Sequence, residues 1–166
     1  MSLPPIEQQL FRRVCGKYAT GITVVTVLDD NEAPQGMTAN SFTSVSLDPP
    51  LVLFCIDRRT NFLNHFLPGK PHAINVLEEG QQDLSTCFAR SGGDRFQGVE
   101  WSPGANGAPI LTDVLASLEC RVDQLVEAGD HIVVIGEVSH ATWRDGQPLI
   151  YFNSGYQSLR TEASAS

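Results

Sequence analysis

Long hydrophobic runs are missing from this chain of 166 residues. A membrane-spanning helix needs roughly 20 consecutive apolar residues, and no segment approaches that length. The N-terminus also lacks the charged and then apolar order of a signal peptide. Basic residues are scarce, because 11 lysines and arginines stand against 19 aspartates and glutamates, which gives a formal net charge of −8. These absences predict a cytoplasmic protein that neither enters a membrane nor binds nucleic acid through phosphate contacts.

Clustered metal ligands and short nucleotide motifs are absent as well. The four cysteines form no C-x-x-C pair, and the four histidines lack the close spacing of a zinc site. We therefore expect no metal, and we interpret the cysteines as small buried hydrophobic residues. Neither G-x-G-x-x-G nor G-x-x-x-x-G-K-[ST] occurs, which leaves Rossmann and P-loop sites unsupported. G-x-S-x-G is also missing, which argues against an α/β-hydrolase.

What is present is an ordinary globular composition, with 42% hydrophobic and 18% charged residues. The length suits one domain, which can bury a core without a disulfide or metal. We predict a single domain over residues 1–160 and a frayed tail over residues 161–166, which reads TEASAS.

The hydrophobic pattern predicts short helices among more numerous strands. A helix that opens at Pro4-Pro5 and ends near Gly21 carries an apolar stripe. The other predicted helices cover residues 61–67 and 81–89. The predicted strands cover residues 22–28, 35–46, 51–56, 73–77, 131–142 and 149–152. Leu118, Cys120 and Val122 alternate with polar residues and predict a further, half-buried strand, although the spacing from Leu115 to Val126 also fits a helix. Asp145-Gly146 is typical of a hairpin. This order predicts a β-rich α+β fold with a mostly antiparallel sheet or barrel.

The segment from Gly36 to Pro50, GMTANSFTSVSLDPP, is rich in short polar side chains. Six residues carry a hydroxyl or an amide, Asp48 adds a carboxylate, and none is basic. Such a run can line a site for a neutral, planar, polar ligand with a phosphate tail. It can equally be a strand whose polar face meets water.

A second polar segment, CIDRRT, begins at Cys55 at the end of the predicted strand 51–56. Its Arg58, Arg59 and Thr60 can hold a phosphate by charge-assisted hydrogen bonds. Solvated surface arginines explain the composition equally well.

These residues resemble the short-chain flavin reductases, the reductase components of two-component flavin-dependent monooxygenases. The resemblance rests on GMTANSFTSVSLDPPLVLFCI, on Phe88-Ala89 followed by Asp94-Arg95-Phe96, and on Gly129-Asp130-His131, in register from about Phe11 to Leu159. It implies an FMN-binding split β-barrel, a homodimer, and reduction of FMN or FAD by NADH or NADPH. It further implies a partner monooxygenase that receives the reduced flavin.

The resemblance also implies which residues meet the flavin. The residues expected to contact the cofactor are Met37, Thr38, Ala39, Asn40, Ser41, Ser46, Cys55, Ile56, Asp57, Arg58, Thr60, Phe88, Ala89 and Arg95. Thr60 with Arg58 or Arg59 is expected at the phosphate, and Arg90 or Arg95 is expected to reach the phosphate end. Cys55, Ile56 and Asp57 are expected to lie along the ring by their backbone.

His131 is expected on the nicotinamide side of the flavin, and a turn histidine is the alternative. No residue is predicted to act as a general acid, general base or nucleophile, because hydride passes directly from nicotinamide C4 to flavin N5. Two other functions stay open from the sequence: a non-catalytic flavin or haem carrier, and an FMN oxidase like pyridoxamine-phosphate oxidase.

Overall fold

A computed structural model describes residues 5–159 of the chain. The predicted helix start at Pro4 and the predicted tail over residues 161–166 lie outside these residues. The helices are α1 (Gln8–Cys15), α2 (Gln82–Ala89) and two 3₁₀ helices, Asn61–His65 and Glu79–Gln81. The strands are β1 (Thr20–Gly21), β2 (Thr23–Leu28), β3 (Pro34–Ala39), β4 (Thr43–Leu47), β5 (Pro50–Asp57), β6 (Pro71–Val76), β7 (Trp101–Pro103), β8 (Pro109–Leu111), β9 (Ala116–Ala128), β10 (His131–Trp143), β11 (Ile150–Phe152) and β12 (Gly155–Gln157).

The main sheet has seven strands in the order β3-β2-β6-β9-β10-β5-β4. Each neighbouring pair is antiparallel, which confirms the predicted β-rich, antiparallel fold. The two edge strands β3 and β4 are consecutive in sequence, yet they do not pair with each other. Residues from both ends of the sheet, such as Met37 on β3 and Phe54 on β5, pack into one core cluster. The sheet therefore curls around this core and stays open between its two edges.

Strand β2 is covered on both of its faces. Val25 packs into the core inside the curled sheet, whereas Val24 packs into a second core with Phe88 of α2. Because both faces of β2 are covered, its sequence TVVTVL does not alternate with polar residues. The buried Thr26 is satisfied by the side-chain amide of Asn75, whose Nδ2 lies 3.0 Å from the Thr26 hydroxyl.

The first helix is shorter than predicted. It ends at Cys15 rather than near Gly21, because Gly16 caps it and Thr20–Gly21 pairs with β11 instead. The Gly16 carbonyl accepts a hydrogen bond from the Asn153 backbone N–H at 2.8 Å, which ties the helix end to the turn between β11 and β12. None of the residues of α1 is buried.

Three other predictions need correction. Residues 35–46 are two strands, β3 and β4, and residues 61–65 form a 3₁₀ helix. Asp145-Gly146 does not join a hairpin, because β10 pairs with β5 and β9, whereas β11 pairs with β1 and β12. The ambiguous segment 115–126 is a strand, and its hairpin partner is β10 through the turn at Gly129, where φ is 63°. No helix within residues 5–159 is long and apolar enough to cross a membrane.

Candidate functional site

A cavity of about 480 Å³ opens where β3, the end of β5 and α2 converge. Its lining comes from segments far apart in sequence: Ile22, Met37, Thr38, Ala39, Asn40, Ser41, Cys55, Asp57, Thr60, Ser85, Phe88, Ala89, Arg90, Ser91, Arg95, His131, Tyr151 and Tyr156. We call it the central cavity. It brings together residues from all three sequence segments that carry the family resemblance.

Helix α2 approaches β3 closely along one wall. The Thr38 hydroxyl donates a hydrogen bond to the Ser85 carbonyl at 2.6 Å. A Cβ atom on Gly36 would lie 2.7 Å from the Phe88 ring, so only glycine allows this approach. Because Thr38 already uses its one proton, its hydroxyl can only accept a hydrogen bond from a ligand.

The end of β5 presents a free backbone edge to the central cavity. The pairing of β4 with β5 reaches Leu53, and beyond it the Cys55 N–H donates to the Ser41 hydroxyl oxygen at 2.9 Å. On the other side, the Arg58 N–H donates to the Asp130 carbonyl at 3.0 Å. Since alternate residues of an antiparallel strand bond to opposite sides, the Asp57 N–H points to the same free edge as that of Cys55. This edge therefore offers a backbone donor, and Ser41 keeps its hydroxyl proton available.

Ionised groups surround the same strand end. Asp57 receives hydrogen bonds from the Arg59 side chain, with Oδ2 to Nη2 at 2.6 Å, and this pairing holds the pKa of Asp57 well below its usual range. His131 lies directly opposite Asp57 on β10, and its Nδ1 is 2.7 Å from the Asp130 carboxylate. That hydrogen bond lowers the pKa of Asp130. The Nδ1 atom of His131 is thus occupied, and Nε2 is the ring atom left for a ligand.

Most of the predicted site residues line the central cavity, and three do not. Ile56 is fully buried in the core, and by the same alternation its backbone N–H and C=O are directed to β10. Ser46 lies on β4, beyond the irregularity in the β4–β5 register at Ser44/Ser46. Arg58 points away and forms an ion pair with Glu127 at 3.3 Å. Its partner lies on β9 and, like Arg58, does not line the central cavity, so the phosphate contact expected of the Arg58 side chain stays a prediction.

Sequence reasoning missed one wall of the cavity. Tyr151 and Tyr156 come from β11 and β12, with ring centroids 5.6 Å apart, and the Tyr156 hydroxyl lies 2.9 Å from the Ser85 hydroxyl. Pairing of β11 with β1 places these rings, and no local pattern indicates such a pairing. Ser85 could have been found, because it lies three residues before Phe88 and so shares its helix face.

A second cavity of about 620 Å³ adjoins the first. The two share Asp57, Thr60, Ser91 and Arg95. Arg59 lines only the second cavity, and Arg95 reaches across the junction to donate a hydrogen bond from Nη1 to the Gly36 carbonyl at 2.6 Å. The two cavities together form a cleft lined by three guanidinium groups, those of Arg59, Arg90 and Arg95. Within the described part of the chain, no three His, Cys, Asp or Glu side chains cluster as metal ligands.

A curled antiparallel sheet with a cleft at its open edge places the chain among small β-barrel folds, in which such clefts are common ligand sites. The profile of the family "Flavin reductase like domain" matches residues 15–160. The chain therefore belongs to the flavin reductase family.

Individual relatives agree with this assignment. The chain is 42% identical over 165 residues to a "Probable flavin reductase" of Rhizobium meliloti (strain 1021), covering 99% of this chain and 53% of that protein. It is 38% identical over 165 residues to the "Stachydrine N-demethylase reductase subunit Stc3" of the same strain, covering 99% and 72%. The chain thus spans about half the length of the first of these relatives.

A solved structure shows the same fold. It is the Streptomyces globisporus C-1027 "NADH:FAD oxidoreductase SgcE6 in complex with NAD and FAD fragments", with a TM-score of 0.85 and 38% identity over the whole of both chains.

Proposed function

We propose that this chain is an NAD(P)H-dependent flavin reductase that supplies reduced flavin to a partner monooxygenase. The observation that carries the proposal is the central cavity, which gathers side chains from GMTANS, from Phe88-Ala89 with Arg95, and from Gly129-Asp130-His131. These segments are far apart in sequence, and they share no evident role other than a common ligand. One relative named as a probable flavin reductase and one named as the reductase subunit of an N-demethylase support the same function.

The chemistry of the lining fits a flavin. The ring system needs donors and acceptors at its polar edge, and the cavity offers the Asp57 N–H, the Ser41 hydroxyl and the Asn40 amide. The phosphate needs a cation, and Arg95 stands at the junction of the two cavities. When bound, flavin supplies the ring whose N5 accepts a hydride. The protein's task is then to hold this ring and the nicotinamide face to face.

His131 is suited to orient the nicotinamide. Its ring is half-exposed at the rim, and its Nδ1 is fixed by Asp130, which leaves Nε2 to bond the nicotinamide carboxamide. Orientation of the nicotinamide matters most for the rate, because hydride transfer needs close approach of nicotinamide C4 and flavin N5. No residue is assigned as a general acid or general base.

The chain is further proposed to work as a homodimer. The strand pairs place Leu53, Val126, Val133 and Ile135 on the face of β5, β10 and β9 opposite to the core. Helix α1 leaves a second apolar surface, with Leu10 50%, Phe11 55% and Val14 58% exposed. A second copy would cover such surfaces, and the sheet face runs from Cys55 and Val133 directly to the cavity rim at His131.

Sedimentation velocity at micromolar concentration tests the dimer. Val133→Asp should give a monomer with weakened flavin binding, because a carboxylate would be buried without a partner. Asp30→Asn, in the exposed turn between β2 and β3 and away from this sheet face, should leave the dimer intact. A native monomer with full activity would refute the dimer and leave the reductase assignment untouched.

Anaerobic stopped-flow spectroscopy tests the activity itself. Mixing the protein with FMN or FAD and an excess of NADH or NADPH should bleach the flavin absorbance far faster than without protein. A flavin that binds but is not reduced by either donor would refute the reductase and favour a carrier.

A further inference from the structure

A third cavity, of about 380 Å³, lies between the end of α1 and the turn that joins β11 to β12. Asn40 and Tyr151 line both this third cavity and the central cavity, so the two adjoin. Its volume falls within the range of about 300–1,000 Å³ that is usual for small-molecule sites. We propose that the third cavity binds a small aromatic carboxylate, held by the Arg12 guanidinium and the Thr20 hydroxyl.

The Thr20 hydroxyl lacks a partner. Its oxygen is buried and has no hydrogen-bond partner among residues 5–159. Thr20 pairs directly with Tyr151 across β1 and β11, so both side chains point to the same side, and both line the third cavity. Because an unpaired buried hydroxyl costs stability, such groups nearly always have a partner. A ligand oxygen in the third cavity would supply it.

The charge of the third cavity suits an anion. Arg12 lies on the lining, which contains no aspartate or glutamate. Within the described part of the chain, the Arg12 side chain forms no ion pair. In a chain with a net charge of −8, this is a local reversal of sign. A guanidinium matches the two oxygens of a carboxylate by paired hydrogen bonds.

Asn153 adds a second donor to the lining, and its orientation is fixed. Lys17 Nζ donates a hydrogen bond to Asn153 Oδ1 at 3.3 Å, so the Nδ2 protons remain for a ligand oxygen. The Asn153 backbone is held as well, because its N–H donates to the Gly16 carbonyl at 2.8 Å. The lining thus offers donors from Arg12, Asn153 and Thr20, whereas an ionised carboxylate only accepts.

Two tyrosines make the cavity suitable for an aromatic ring. Tyr151 is held by an edge-on contact with Tyr156, with ring centroids 5.6 Å apart. Tyr18, on the opposite part of the lining, leaves 78% of its surface exposed, which is unusual for a large aromatic side chain. A planar ligand can pack against these rings while its carboxylate meets Arg12.

The third cavity is distinct from the apolar surface of α1 assigned above to a second copy. Arg12 and Cys15 line the cavity, whereas Leu10 and Val14 lie about half a helical turn away from Arg12 around α1. A second copy on Leu10 and Val14 therefore leaves the cavity side of the helix free.

Benzoate and its neutral analogue benzamide test the site on the full chain by isothermal titration calorimetry. Benzoate should bind, and benzamide should bind at least about tenfold more weakly, because it offers the guanidinium no charge. Arg12→Gln should raise the benzoate dissociation constant at least about tenfold. Arg13→Gln is the matched control, because it removes the same charge one residue away and outside the lining, and its constant should stay native. No binding of benzoate at about 10 mM, or an equal loss in both arginine variants, would overturn the proposal.

Thr20→Val removes the unpaired oxygen and keeps the shape of the side chain. The benzoate constant should rise at least about threefold, whereas the urea midpoint without benzoate should not fall, because no internal hydrogen bond is lost. A lower midpoint together with native benzoate affinity would show that the hydroxyl has a partner within the protein, and would overturn its assignment to a ligand.

A last titration separates this site from the cofactor site. In the presence of saturating FMN or NAD⁺, the benzoate constant should change less than about threefold. Complete displacement of benzoate by either cofactor would assign the third cavity to that cofactor and overturn the proposal. A failure of the proposed reductase function is distinct, because flavin would then not be reduced while benzoate still bound.

Discussion

His72 is buried with little compensation, and this makes the stability of the protein depend on pH. Its side chain is fully buried, with Phe54 and Phe66 each edge-on to it at ring-centroid distances of 5.7 Å. Neither ring nitrogen has a partner at hydrogen-bonding geometry among residues 5–159, and the Lys70 backbone offsets the effect of burial only in part. A Cβ atom on Gly136 would come within 2.9 Å of the ring, so the imidazole occupies the space that this glycine leaves. Burial lowers the pKa of His72 to about 4, from an ordinary value of 6.5.

The size of the effect follows from the difference between the folded and unfolded pKa values. Because the unfolded chain binds a proton at His72 near pH 6.5 and the folded chain only near pH 4, the free energy of unfolding falls as the pH drops between these values. One pH unit between the two pKa values corresponds to about 1.4 kcal/mol, so the contribution of His72 declines by about 3 kcal/mol over this window. Above pH 6.5 the contribution is constant, and below pH 4 it levels off.

His72→Leu removes the titrating group and fills most of its space. Urea unfolding of both proteins, followed by tryptophan fluorescence at equal protein concentration between about pH 7.5 and about pH 4, gives the difference in stability at each pH. Relative to the native protein, the variant should gain about 3 kcal/mol as the pH falls from 6.5 to 4, while effects of other groups cancel. A difference that stays constant within about 0.5 kcal/mol across this range would refute the reasoning.

Three further predictions concern the central cavity. His131→Ala should slow flavin bleaching by NADH about 100-fold in anaerobic stopped-flow while the flavin dissociation constant changes little, and a native rate would leave His131 as a turn residue. Asn40→Ala should weaken flavin binding by about 1–3 kcal/mol in a fluorescence titration, and an unchanged titration would remove Asn40 from the site. Gly36→Ala should lower the free energy of unfolding by about 1–3 kcal/mol, because its Cβ meets the Phe88 ring at 2.7 Å. Gly21→Ala, where nothing lies within 4 Å, is the control and should unfold as the native protein does.

Elements with local signals could be predicted from the sequence. The β-branched run of β2, the apolar run of β5 and the stripe of α2 each reflect the residues that must be buried on that element. The motif segment from Met37 to Ser41 was also predicted, because it matches a family pattern residue by residue. Such features depend on residues within a few positions of one another, and periodicity records them directly.

Features that depend on pairing between distant strands could not be predicted from the sequence. Asp145-Gly146 has the composition of a hairpin turn, yet β11 pairs with β1, and this brings Tyr151 into the cavity. Arg58 and Arg59 are adjacent and chemically alike, but their side chains diverge at the end of β5. One pairs with Glu127, and the other lines the second cavity. The packing of the whole sheet determines which strands pair and in which direction a side chain at the end of a strand points. No local pattern in the sequence encodes this packing.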